Sequence, residues 1–107
     1  MAKFDDFLAE VRTGISQLAN LEAKDFVKQA TGDGQQFVDA LEPDLRLWTR
    51  QLEAGQLSKP DFEFLVKGKS SVAQMKALTQ AGVTAIRIDQ IRAAVIKLIV
   101  IAAGKMA

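Results

Sequence analysis

No cysteine, histidine or tyrosine occurs in the 107-residue chain, which holds only two prolines and one tryptophan. Each absence removes a class of chemistry. Without cysteine there is neither a disulfide scaffold nor a thiol nucleophile, and without cysteine and histidine the usual zinc sets lack their donor atoms. Without histidine, Ser-His-Asp triads and imidazole acid/base catalysis go as well. What is present is 49% hydrophobic and 25% charged residues with a formal net charge of +1. The length suits a single domain spanning residues 1–107, one able to bury about 60–70% of the surface its unfolded chain exposes.

Long uncharged apolar runs are missing too. The most apolar stretch, Ala93 to Gly104, is interrupted by Lys97 and preceded by Arg87, Asp89 and Arg92. It falls short of the roughly 18 apolar residues that a membrane-spanning helix needs, so it reads as a buried helix. The start, Met1-Ala-Lys-Phe-Asp-Asp-Phe, turns acidic at once and lacks the basic-then-apolar order of a secretory signal, which makes the cytoplasm the expected compartment.

Apolar residues recur with helical spacing along the chain. Phe4, Leu8, Val11, Ile15 and Leu18 step by four and three, predicting a helix over about residues 3–20. Leu21 to Ala30 either continues it or forms a second short piece, and the glycines of Thr31-Gly-Asp-Gly34 are expected to end it. Phe37, Val38, Leu41, Leu45, Trp48 and Leu52 mark another helix, with a kink or restart expected near Glu42 because Pro43 removes an internal hydrogen bond. Ala54-Gly55 closes it. Ser58-Lys-Pro-Asp61 reads as the capped start of a short helix that Gly68 stops, and Ser70 or Ser71 as the cap of the next. Gly82 either breaks that helix or is tolerated in one long helix reaching Ala103, at a cost of about 1 kcal/mol. Strand-like alternation is confined to Ala85–Ile88, inside a longer helical pattern. The expected fold is all-α: a small bundle of four to five helices with a long apolar C-terminal helix.

That last helix has two apolar faces. Ile88, Ile91, Val95, Leu98 and Ala102 fall in one sector and form a seam suited to a helix pair or coiled coil. Ile86, Ala93 and Val100 fall in a nearly opposite sector, with Ile96 and Ala103 nearby. Two apolar faces need two covers. One reading makes this the central helix of a monomeric bundle. The favoured reading packs one face on the chain's own helices and the other on a second subunit, most simply in a two-fold dimer, since small chains often bury surplus apolar area by oligomerising.

Charge of one sign is scarce in each half. Residues 1–53 carry ten acidic and six basic side chains (−4), and residues 54–107 carry three acidic and eight basic (+5). The simpler explanation is that an acidic first half lies against a basic second half. The functional alternative is a basic patch of Lys59, Lys67, Lys69 and Lys76 for an anionic partner. Eight cations over that length are sparse for nucleic-acid binding, and no Arg-rich run, aromatic RNA-binding motif or zinc-finger spacing accompanies them.

Candidate chemistry is thin. Thr31-Gly-Asp-Gly34 resembles the middle of a calcium loop, but the register puts Gln29, Thr31 and Ala40 where acidic ligands belong. No Lys-Ser/Thr follows the glycines as a phosphate-binding loop requires. The remaining carboxylates (Asp5, Asp6, Glu10, Asp39, Glu42, Asp61, Glu63) read as solvated surface, and a di-iron bundle site needs the absent histidine. Trp48, between Arg46 and Arg50, keeps step with Leu41, Leu45 and Leu52 and reads as core or interface. Phe64 points away from Phe62, Leu65 and Val66, which makes it a contact either for the chain's own N-terminal helix or for a partner. The stretch from Leu52 to Arg92 resembles small bacterial helical proteins in general character, and no residue role is carried over from them.

The expectation is a non-catalytic helical interaction or assembly protein, without metal or cofactor, that self-associates through its C-terminal helix. Its candidate interface residues are Ile86, Ile88, Ile91, Ala93, Val95, Leu98, Val100, Ala102, Phe64 and Trp48. The alternative is a peripheral, lipid-associating protein whose Ala93–Ala103 region meets a membrane surface beside Arg92, Lys97 and Lys105.

Overall fold

The computed structural model describes residues 3–69 and 74–105. Among these the chain is all-α: α1 (Lys3–Glu22), a 3₁₀ turn (Lys24–Phe26), α2 (Val27–Glu53), α3 (Lys59–Gly68), α4 (Lys76–Gln80) and α5 (Ala85–Gly104). The 27-residue α2 is about 40 Å long at 1.5 Å per residue, which accounts for the bundle's longest dimension of 43 Å. Helix α1 packs along α2 on one side and α5 on the other, while α3 lies against α5.

The first helix buries Phe4, Phe7, Val11, Ile15 and Ala19. Leu8 and Leu18, expected in the same stripe, are only partly covered, so the inner face is centred closer to Phe7 and Ala19 than the four-three spacing suggested. The chain does not end its second helical segment at the glycine pair, and this corrects the expectation. The interruption comes earlier, at Ala23–Phe26, and α2 runs unbroken through Gly32 and Gly34. Gly34 has a packing role: a Cβ built there would lie 2.8 Å from Ile15 Cγ2, so the missing side chain lets α1 and α2 approach. Burial of Ala30, Phe37 and Val38 on the same face offsets the poor helix propensity of the two glycines.

Nor does α2 restart at Pro43. Asp39 and Pro43 both lie on its exposed side, where water can take the hydrogen bond that the ring removes, while buried Leu41 and Leu45 hold the inner face. The helix ends at Glu53 with Gly55 at φ +75°, where the Gln56 amide donates to the Gln51 carbonyl and the Gly55 amide to that of Leu52.

Helix α3 starts as expected, with Ser58 Oγ accepting from the Asp61 amide at 3.2 Å, and it buries Phe62 and Val66. The expected cap at Ser70 or Ser71, and Val72 with it, lie outside the described residues. Helix α4 is capped from elsewhere in the chain. The buried carboxylate of Asp33 on α2 accepts from the amides of Ala77 (3.2 Å) and Leu78 (2.8 Å), while buried Met75 before them is left-handed at φ 53°. Gly82, at φ +87°, does break the C-terminal pattern. The Val83 amide donates to Leu78 O and the Gly82 amide to Thr79 O, and α5 starts afresh with Thr84 Oγ1 accepting from the Arg87 amide. Residues 85–88 are helical.

Candidate interaction surface

The two faces of α5 meet different surroundings. Ile88, Ile91, Val95, Ile99 and Ala102 are buried within the chain, together with Ile96 and Ala103. Leu98 is half-buried against Gly14 of α1, where its methyl carbons lie 2.6 and 2.7 Å from the position a Cβ would take. The one glycine of α1 thus permits a second close helix approach. The opposite face is left open: Ile86 is 74% exposed, Ala93 is exposed and Val100 is half-buried. Ile101, which the sector assignment did not include, is 51% exposed beside them.

This open face borders a groove of about 690 Å³ between α5 and α3. Its apolar lining is Ala93, Ile96, Val100 and Ile101, and its charged rim is Asp89, Arg92 and Lys97 of α5 with Glu63 and Lys67 of α3. Part of the rim is paired within the chain. Lys67 Nζ lies 2.7 Å from Glu63 Oε2 one turn earlier, and Arg92 pairs with Asp89. Phe64, one residue past Glu63 on α3, is 76% exposed, so the N-terminal helix does not cover it. Trp48 is buried in the core of the chain.

Thus Ala93 and Val100 line the groove with Ile86 on the same stripe of α5, Phe64 is exposed on α3 outside that lining, and Ile88, Ile91, Val95, Ala102 and Trp48 are used internally. Wheel geometry separates the two sectors of α5. It cannot say which of them α1 will cover, and for that reason Ile101 and the α3 rim escaped sequence reasoning.

Of the basic candidates, Lys59 opens α3, Lys67 pairs with Glu63, Lys69 sits 3.7 Å from Asp44, and Lys76 opens α4. Among the described residues, the ion pairs Lys69–Asp44 and Lys105–Glu10 (3.0 Å) join the acidic and basic halves, and Arg87 donates to the Glu22 carbonyl at the C-terminal end of α1. Others stay within the first half, where Arg12 bridges Asp39 (2.6 Å) and Gln35 (2.7 Å) across α1 and α2. Exposed pairs of this kind contribute about 0–1 kcal/mol each.

Among the described residues no three carboxylates gather where a metal could be held, and no helix is long and apolar enough to cross a membrane. Fold and surface together define an all-α bundle with an open, apolar, charge-rimmed groove. No family model, no curated protein and no solved structure matches the chain.

Proposed function

We propose that the protein is a non-catalytic helical interaction module that self-associates through α5. The observation that carries this reading is the apolar strip Ala93–Val100–Ile101, left open after most of the other face of α5 has been used by the chain's own core. A contiguous apolar strip rimmed by charge is the usual anatomy of a protein-binding surface. A second copy suits the rim, since each side of the groove carries both signs and an isologous contact needs a surface complementary to itself. An anionic lipid surface suits it less, because Glu63 and Asp89 stand among the cations.

Sedimentation or light scattering at tens of micromolar is expected to show a dimer. Ala93→Glu is expected to return it to the monomer with an unchanged helical signal, because Ala93 is exposed in the single chain. A monomer at every concentration would remove the reading. Co-sedimentation of that monomer with anionic vesicles would move the function to a membrane surface.

A further inference from the structure

We infer that two copies pair through α5 end for end, about a two-fold axis passing beside Ala93; this rests on the self-association proposed above and supplies its geometry. Ile86, Ala93 and Val100 are seven residues apart, so at about 100° per residue they form one stripe, roughly 21 Å long. Ala93 is its midpoint, and the large-small-large order reads the same from either end. Turned end for end, Ile86 lies over Val100 of the partner subunit, and the small Ala93 meets its own copy, which lets the two backbones approach closely.

The charges choose between orientations. Asp89 and Lys97 stand four residues before and four after Ala93, about 40° to either side of the stripe. Antiparallel pairing sets Asp89 level with Lys97 of the partner subunit, twice by symmetry. Parallel pairing would instead set each beside its own copy, like charge against like. On the α3 side of the groove, the Glu63–Lys67 pair offers no net charge to oppose either arrangement.

A strip of this length on one helix falls short of the about 800 Å² per partner of a standard interface. The pairing is accordingly weak and concentration-dependent.

The chain's lack of cysteine makes the test direct, because any introduced thiol is the only one. A93C is expected to form a disulfide dimer rapidly under mild oxidation. I86C and V100C are each expected to fail alone and to cross-link when mixed, as their copies lie far apart in the antiparallel pair. K97D is expected to weaken the dimer at least about fivefold, and D89K/K97D together to restore it, with circular dichroism melts unchanged at concentrations low enough for the chain to be monomeric. A dimer in which I86C links to itself overturns the antiparallel geometry while leaving self-association intact. A monomer by sedimentation overturns both.

Discussion

Gly32 and Gly34 stand two positions apart in α2, yet a methyl group added at each meets opposite surroundings. At Gly32 nothing lies within 4 Å, and the residue is exposed in mid-helix. Gly32→Ala therefore removes a propensity cost without creating a clash, and is expected to stabilise the fold by about 0.5–1 kcal/mol. At Gly34 the methyl would press on Ile15 Cγ2, which belongs to a β-branched side chain only 1% exposed and so unable to move aside cheaply. Overpacking of this kind costs about 1–3 kcal/mol, more than the propensity gained. Urea melts of the two variants should move in opposite directions, and a Gly34→Ala protein more stable than the parent would refute the close approach of α1 and α2. The glycine pair also shows where sequence reading stops. Gly is a helix breaker by local propensity, and only the neighbouring helix reveals that Gly34 is a contact point.

A single side chain of α2 caps α4. Five residues are too few for α4 to hold itself, and its first amides would be orphaned at the bundle surface or inside it. The Asp33 carboxylate takes two of them, and its burial at 4% exposure means that water does not readily substitute. Asp33→Ala is expected to cost about 2–3 kcal/mol, the value of charge-assisted bonds lost together with buried donors left unpaired. Asp33→Asn, which keeps one acceptor oxygen, should lose less. Equal stability of all three proteins in urea would show that the α4 amides find other partners. At this scale much was legible from the sequence. The start of α3 at Ser58, the stop at Gly55 and the apolar register of α5 all follow from local chemistry, whose consequences are spent within a turn or two. The cap of α4 was not legible, because its donor and acceptor are separated by 44 and 45 residues. Asp33 looked instead like the remnant of a calcium loop whose register fails. The division of α5 was half legible: two apolar sectors can be read from spacing, but which of them is covered depends on where Gly14 and Gly34 allow α1 to settle.

In the whole molecule, self-association and stability are linked. A domain of this size leaves a large share of its chain surface exposed, so the apolar strip on α5 is area whose burial would still contribute, at about 25 cal/mol per Å² before the costs of association. If folded chains pair and unfolded chains do not, mass action draws the equilibrium toward the folded state as concentration rises. At a total chain concentration of about 100 times the dissociation constant, pairing contributes about 1.6 kcal/mol per chain, less than a separate ligand would because pairing depletes the free chain. For a domain of roughly 100 residues each kcal/mol moves the midpoint by about 4–8 °C, so a hundredfold rise in concentration should raise Tm measurably, by several degrees. The shift should vanish in Ala93→Glu, whose melting at low concentration should match that of the parent. The ion pairs that join the two halves supply no such dependence, because Lys69–Asp44 and Lys105–Glu10 form within one chain. Dilution therefore isolates the second source, because it abolishes only what the second copy contributes, whereas salt screens the exposed pairs within a chain and those between copies alike. A Tm constant across a hundredfold dilution would mean that the open face of α5 stays open in solution, and the second copy would then be the wrong occupant for it.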